Sequence, residues 1–198
     1  MAEQAATGSF FYLVGGDPGH TATTLRETAV WRAIVAAWTE GAALAGSSAG
    51  AMAIGEWTLI RDRFKGDHRR LYRPALGLLP RIAVLPHFET FGHRWAASAA
   101  ERTPVEGTIL LGIDERSAAY WDGRSWTARG PGSVTVIEGE RPTVSPSGSP
   151  LALPPPGGAC RRRATRATAG WAAPPPTTPP APRGARPPPP PGAAPAAP

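Results

Sequence analysis

A serine within the glycine- and alanine-rich stretch 45–55 has the surroundings of a catalytic nucleophile. Gly46, Ser48 and Gly50 fit the pattern G-x-S-x-G, in which serine occupies a strained strand-to-helix turn and small flanking residues let the backbone bend. Ser47 is flanked at the same distance by alanines, which tolerate an unusual backbone conformation less well than glycine does. The register therefore favours Ser48. A cluster of small residues can also serve only to pack a helix closely against a sheet, so other residues must decide.

A histidine and a carboxylate follow two further apolar runs. His87 comes two residues after the run 82–85, and Glu115 comes two residues after the run 108–113. Ligand sites of open α/β sheets lie at the carboxyl ends of the strands, so we expect these side chains and Ser48 at one edge of one sheet. A serine hydroxyl that passes its proton to an imidazole oriented by a carboxylate carries out acyl transfer. Taken alone, the histidine also fits an ordinary loop residue.

The identity of the acid is open among three carboxylates. We favour Glu115, because a carboxylate at the end of a buried strand is partly desolvated beside the imidazole that it orients. Asp62 lies fourteen residues beyond Ser48, in a polar stretch without clear periodicity, which is typical of a solvated surface. Asp114 is a lesser alternative.

Two adjacent glycines offer a further part of an acyl-transfer site. Gly15 and Gly16 end the apolar run 10–14, and a glycine N–H there, together with the N–H of Ala49, would form an oxyanion hole. The same pair also fits a simple turn.

The apolar patterns predict the elements that carry these residues. The run 10–14 predicts a buried strand, 21–40 predicts one amphipathic helix that stops at Gly41, and 42–45 predicts the strand that leads to Ser48. This alternation implies a parallel sheet with a right-handed crossover. The expected fold class is therefore α/β, a three-layer sandwich with a mostly parallel sheet.

The second half of the body is expected to hold more strands. The polar stretch 61–73 predicts a surface excursion, and the runs 82–85 and 108–113 predict strands on either side of a short helix at 95–102. Asp-Gly at 122–123 suits a tight hairpin turn, and 133–137 predicts one more strand. The body is expected to close near Arg141.

The charge is distributed unevenly along the 198 residues, whose formal net charge is +6. Every acidic residue lies at or before Glu140, and the surplus of positive charge belongs to six arginines between 161 and 186. The body is close to neutral and carries no basic stripe interleaved with aromatic residues, so we expect no nucleic-acid partner.

We predict two parts: an α/β domain over 1–150 and a disordered tail over 151–198. The tail is rich in proline, alanine and arginine and cannot bury a core; a polyproline II ligand at 187–191 is an alternative. Cys160 is the single cysteine, which excludes a disulfide framework and a cysteine-based metal site and favours a reducing cytoplasm. The sequence has neither a signal-peptide pattern nor an apolar run of membrane-spanning length, so a soluble protein without membrane association is expected.

The motifs together resemble the dipeptidase E and cyanophycinase group of serine peptidases, which have a class I glutamine-amidotransferase-like, flavodoxin-like fold. The matching segments are Leu-Val-Gly-Gly-Asp at 13–17, Gly-Ser-Ser-Ala-Gly-Ala at 46–51, Leu-Pro-His-Phe at 85–88, Leu-Gly-Ile-Asp-Glu at 111–115 and Trp-Asp-Gly at 121–123. They occur in the family's order and at similar intervals. The resemblance covers most of residues 10–140.

The resemblance implies a nucleophile, a base and two oxyanion-hole donors at Ser48, His87, and Gly16 with Ala49. It implies no metal and no organic cofactor. The family places its acid either between the serine and the histidine or after the histidine, so the resemblance does not choose between Asp62 and Glu115. Related amidotransferases carry cysteine at the turn, and the serine here disfavours glutamine-dependent amide transfer.

The resemblance also implies a small peptide substrate, either an α-linked aspartyl dipeptide or a β-linked aspartyl-arginine unit of cyanophycin. Both need a cation near the aspartyl carboxylate. Arg94, seven residues past His87, is the candidate, because an arginine fork pairs bidentately with a carboxylate. The alternative is a solvated arginine at the start of the helix 95–102.

The sequence departs from the family at its start. Family members carry strand-helix units before the Gly-Gly loop, and here nine residues precede Phe10. We therefore expect the first strands to be missing and an unpaired apolar sheet edge to drive homo-oligomer formation. Two alternatives to a serine peptidase stay open: a non-catalytic, truncated remnant of the same fold, and a glutamine-amidotransferase-like protein of other function.

Overall fold

The computed structural model describes residues 1–61, 70–100 and 103–157. All described residues belong to the first of the two units into which the chain divides, Met1–Ala164. Asp62, Cys160 and the predicted tail from 158 onward lie outside the described residues.

The helices are α1 (Ala2–Ala6), α2 (Pro18–Leu25), α3 (Ala29–Glu40), α4 (Ala49–Ile54) and α5 (His93–Ala100), with one π-helical turn at Phe88–Gly92. The strands are β1 (Phe10–Leu13), β2 (Ala43–Gly46), β3 (Gly55–Arg61), β4 (Arg70–Pro74), β5 (Leu79–Pro86), β6 (Ile109–Ile113), β7 (Ala118–Trp121), β8 (Trp126–Arg129), β9 (Ser133–Glu138), β10 (Arg141–Pro146) and β11 (Pro150–Leu151).

Three sheets are formed by the described strands. The central sheet has the order β10-β9-β6-β5-β3-β4, with β3, β5 and β6 parallel in its middle and antiparallel strands outside them. β1 and β2 form a parallel pair, and β11, β8 and β7 form a small antiparallel sheet. The predicted α/β class with parallel central strands is confirmed.

The strand that leads to Ser48 is not part of the central sheet, which corrects the expectation of one common sheet edge. Within the described residues, β2 pairs with β1 alone. A cavity of about 420 Å³, lined by Leu44, Val84 and Ala119 among others, lies between β2 and strands β5 to β7. Helix α4 connects the two sheets, because it packs against β1, β2, β3 and β5.

Apolar clusters cover both faces of the central sheet. Along β5, Ile82 and Val84 belong to the cluster that contains the tryptophans of α3, while Ala83 and Leu85 belong to the cluster that contains Ala99 of α5. This alternation follows from the two-residue period of a strand. The sheet is thus sandwiched between layers, which positions the strand ends that carry the candidate site.

The predicted single helix over 21–40 is wrong, because the segment forms two helices. Glu27 has φ of 66°, a left-handed conformation that a right-handed helix does not accommodate. Thr28 then begins α3 by accepting a hydrogen bond from the Trp31 N–H at 3.1 Å. Asp17 caps α2 in the same way by accepting from the His20 N–H at 2.7 Å. The turn at Glu27 and the cap at Thr28 divide an apolar pattern that is continuous in the sequence.

The stretch predicted as a surface excursion, 61–73, contains a strand at its end. β4 pairs antiparallel with β3, from Arg61 opposite Arg70 to Trp57 opposite Pro74. Residues 62–69 between these strands lie outside the described residues. β4 is formed by pairing with a neighbouring strand, and the periodicity of a sequence does not reveal such pairing.

The body does not close near Arg141. β10 pairs antiparallel with β9, Leu151 is only 7% exposed, and the Trp126 indole N–H donates to the Pro154 carbonyl at 2.9 Å. The first residues assigned to the tail therefore pack on the body, because the Leu151 side chain is buried there and the Pro154 carbonyl accepts a hydrogen bond.

The hairpin predicted at Asp122 and Gly123 is present between β7 and β8. The Asp122 carboxylate accepts hydrogen bonds from the N–H groups of Arg124 and Ser125 at 2.7 and 2.8 Å. Hydrogen bonds from the backbone of Ser125 and Arg124 hold the pKa of Asp122 below its usual value. The carboxylate thus closes the turn locally.

The outward face of β1 is apolar. Phe10, Tyr12 and Val14 are 62%, 52% and 62% exposed, and the rings of Phe10 and Tyr12 stack at 6.3 Å. This exposed apolar surface is a face of the strand and not its edge, and the oligomer that the sequence predicts through an unpaired edge stays a prediction. Among the described residues, no helix has the length and apolarity needed to cross a membrane.

Candidate active site

Ser48 connects β2 to α4 in a strained conformation, with φ of 48° and ψ of −118°. Such a conformation in a residue other than glycine costs about 1–3 kcal/mol and is found mainly at functional sites. A serine at the start of a helix usually accepts a hydrogen bond from the first turn, but the Ser48 side chain makes no such capping bond. The hydroxyl is left available for chemistry.

Contacts across the turn explain both glycines of the G-x-S-x-G pattern. A Cβ on Gly50 would lie 2.0 Å from the Leu13 carbonyl oxygen, and a Cβ on Gly46 would lie 2.7 Å from Ile54 Cδ1. Only glycine fits at either position. The Ser47 N–H donates to the same Leu13 carbonyl at 3.0 Å, so the turn is held directly against β1.

His87 and Glu115 meet at the carboxyl ends of neighbouring strands. β5 and β6 run parallel with Pro86 opposite Ile113, which brings the next residues of each strand together. His87 Nδ1 lies 3.1 Å from Glu115 Oε1, and the two side chains are 39% and 55% exposed. The bond at Nδ1 leaves Nε2 as the nitrogen that can accept a proton.

Asp114, one residue before Glu115, has a different partner. Its Oδ2 accepts a hydrogen bond from the Ser133 N–H at 2.8 Å, which ties the end of β6 to β9. This carboxylate therefore serves the structure of the strand end. Asp62 cannot be compared, because it lies outside the described residues.

Glu89 is a carboxylate of this site that the sequence analysis missed. It accepts a hydrogen bond from the Glu115 N–H at 2.8 Å. Burial alone would raise the pKa of Glu89, but the hydrogen bond from the Glu115 backbone and the charge of His87 hold it below its usual value. A carboxylate two residues after a strand-end histidine was the available signal.

The Gly-Gly loop lies beside the serine. A Cβ on Gly15 would be 3.7 Å from Ser48 Cβ and 4.0 Å from Oγ. Gly16 has φ of 143°, and a Cβ there would meet nothing within 4 Å, so its surroundings are open. Ala49 is the first residue of α4, where the N–H has no partner within the helix. The oxyanion role of the Gly16 and Ala49 N–H groups stays a prediction.

With this geometry in view, comparison with known proteins identifies the family. The model of peptidase family S51 matches residues 4–128. The chain belongs to peptidase family S51. A comparison with curated proteins gave no match.

Two solved structures are similar to this S51 chain. The crystal structure of a peptidase from an acI-B1 Actinobacterium is 29% identical, with a TM-score of 0.63, over 77% of this chain and 62% of that one. The chain thus spans about three fifths of the length of the actinobacterial peptidase. The 1.5 Å structure of a candidate peptidase E protein from Listeria monocytogenes EGD-e is 18% identical, with a TM-score of 0.44, over 73% and 63% of the two chains.

Two of the predicted site residues of this S51 chain, Ser48 and Arg94, form no hydrogen bond or ion pair with another predicted site residue among the described residues. Within the described residues, no hydrogen bond joins Ser48 to His87. Arg94 is exposed in the first turn of α5 and forms no ion pair with any described carboxylate. The described residues also contain no group of three or more His, Cys, Asp or Glu side chains placed to hold a metal ion.

Proposed function

We propose that this S51 chain hydrolyses small peptides with Ser48 as its nucleophile. The observation that carries the proposal is the strained turn at Ser48, with φ of 48°, ψ of −118° and a side chain that caps nothing. Membership of a peptidase family supports it, as does the likeness to the actinobacterial peptidase.

The chemistry follows from the groups around the serine. Ser48 Oγ attacks the scissile carbonyl carbon while its proton passes to His87 Nε2. Glu115, bonded to Nδ1, holds the ring in orientation and stabilises the imidazolium that forms. The N–H groups of Gly16 and Ala49 stabilise the oxyanion.

The second half of the cycle reverses the proton transfers. The C–N bond breaks as His87 gives its proton to the leaving amine, and an acyl ester on Ser48 remains. Water, deprotonated by His87, then hydrolyses the ester and regenerates the serine. The proposal requires Ser48 Oγ to reach Nε2 when substrate binds, and such bonds commonly tighten only in the complex.

The test uses an adjacent serine as its control. A fluorophosphonate probe should label wild-type protein and Ser47→Ala but not Ser48→Ala, because the probe reacts only with an activated serine hydroxyl. Hydrolysis of small peptides should be lost in the same variant. A folded wild-type protein that is never labelled would overturn the proposal and favour a non-catalytic member of the fold.

The finer part of the proposal concerns substrate. We propose that Arg94 binds the carboxylate of an aspartyl residue, since it is an exposed cation one turn beyond Phe88–Gly92. Arg94→Ala should then lower kcat/KM for Asp-X and β-Asp-X peptides by about tenfold or more, and for Leu-X peptides and neutral esters much less. Arg124→Ala, which removes another exposed arginine in the turn between β7 and β8, is the matched control. Equal losses on all substrates would show that Arg94 has a structural role.

A further inference from the structure

The π-helical turn after His87 places two phenylalanines in opposite environments. Phe88 is 4% exposed, and its ring occupies the space that a Cβ on Gly92 or Gly112 would need, at 2.2 and 2.5 Å. Phe91 is 50% exposed, so three residues further on the second ring stays at the surface. π-helical turns are found frequently at functional sites.

The exposed ring has a fixed position relative to the histidine. The Phe91 N–H donates to the His87 carbonyl at 2.9 Å. The Phe91 and His87 rings meet edge to face, with centroids 6.2 Å apart and an interplanar angle of 73°. Because both backbone and ring are held, the aromatic surface is built beside the imidazole before any substrate binds.

Phe91 is also supported on the side away from His87. Its ring stacks on Trp95 at 6.2 Å with an interplanar angle of 15°, and the Arg70 guanidinium lies over the Trp95 ring at 4.0 Å. Stacked aromatic pairs and cation–π contacts are both attractive. These contacts hold the exposed ring between His87 and Trp95.

The chemistry of the proposed reaction says which part of a substrate would meet this ring. The imidazole must give its proton to the leaving amine, so the residue after the scissile bond leaves from the side of His87. A half-exposed apolar ring in contact with the imidazole therefore faces the side chain of that residue.

We propose that Phe91 forms an apolar subsite for the residue on the carboxyl side of the scissile bond, which makes peptides with a large apolar leaving residue the preferred substrates. This inference rests on the proposed function. Stacking and apolar contact with a leucine or phenylalanine side chain would replace water at the Phe91 ring, whereas a glycine leaving residue would gain nothing there.

The experiment compares dipeptides that share their first residue and carry Gly, Ala, Leu or Phe as the second. In wild-type protein, kcat/KM should rise along this series. Phe91→Ala should lower kcat/KM about 10-fold or more for the Leu and Phe peptides and less than about 2-fold for the Gly peptide. Phe91→Leu should keep most of the preference, because it keeps an apolar side chain. Phe10→Ala removes another exposed phenylalanine, 62% exposed against 50% for Phe91, at the amino-terminal end of β1 and should leave the series unchanged.

The outcomes separate the two proposals. An equal loss on all four peptides in Phe91→Ala, with circular dichroism unchanged, would overturn the subsite. So would a wild-type protein that reacts with the fluorophosphonate probe and cleaves dipeptides without regard to the second residue. A wild-type protein that neither reacts with the probe nor cleaves any peptide would overturn the proposed function, and the subsite with it.

Discussion

Replacing Gly50 by alanine tests whether the contact between α4 and β1 positions the candidate nucleophile. Alanine is about 1 kcal/mol better than glycine inside a helix, so the change would stabilise α4 if packing allowed it. Here the new Cβ would lie 2.0 Å from the Leu13 carbonyl oxygen and 2.4 Å from its carbon. Cβ atoms do not approach other heavy atoms within 3.0 Å, so α4 and β1 must separate by about 1 Å.

The displacement predicts two measurable effects. Overpacking typically costs about 1–3 kcal/mol, and after the gain of about 1 kcal/mol in helix propensity the free energy of unfolding should fall by up to about 2 kcal/mol. Since Ser48 precedes the displaced helix, a shift of this size should lower kcat by up to about 100-fold. A domain with about 5 kcal/mol or more of stability stays almost fully folded after this loss, so the fall in kcat would report misplacement.

Urea unfolding followed by tryptophan fluorescence measures the first effect, and hydrolysis of a small peptide measures the second. Gly157→Ala is the control, because its Cβ would lie 3.5 Å from the nearest atom, an ordinary contact. It should change neither quantity appreciably. Wild-type stability together with wild-type activity in Gly50→Ala would refute the idea that the Leu13 carbonyl fixes the position of α4.

Two further predictions concern the carboxylates around His87. Glu115→Gln should lower kcat/KM by about 100-fold or more, since a misoriented imidazole is a poor base. Asp114→Ala should lower the free energy of unfolding by about 1 kcal/mol through the lost bond from Ser133 and should slow hydrolysis less. A larger loss of rate in Asp114→Ala than in Glu115→Gln would assign the orienting role to Asp114. The pKa of Glu89 is held below its ordinary value, so its carboxylate stabilises the folded state above the ordinary glutamate pKa of about 4.3, and this contribution is lost as the pH falls through the lower folded pKa. Thermal unfolding between about pH 3 and 6 should therefore show a shallower acid-induced fall in Tm for Glu89→Gln than for wild type; identical profiles would contradict the role of Glu89 in holding the Glu115 backbone.

Local sterics made the turn and the hairpin predictable from sequence. The G-x-S-x-G pattern implies close backbone contacts, and Gly46 and Gly50 lie where no Cβ fits. Asp122 closes its turn through the N–H groups of the next residues, so this turn is set by residues that are neighbours in the sequence. The central strands β5 and β6 were also predictable, because their apolar runs are buried within a sheet.

Helix breaks and edge strands were not predictable in this way. The apolar pattern of 21–40 continues through Glu27, and a single residue with φ of 66° divides it. β4 and β10 have polar or mixed sequences and owe their conformation to the neighbours β3 and β9. Periodicity measures burial of side chains, whereas these strands are held by backbone hydrogen bonds along an edge.

The sequence alone determined which residue types could do chemistry, and it placed His87 and both candidate acids after it at strand ends. Only the tertiary structure decided their partners. Asp114 and Glu115 are adjacent, yet the first meets an N–H of β9 and the second meets His87, because successive residues leaving a strand point in different directions. The partner that each carboxylate finds depends on which strands flank β6, and the order of strands is a property of the folded sheet.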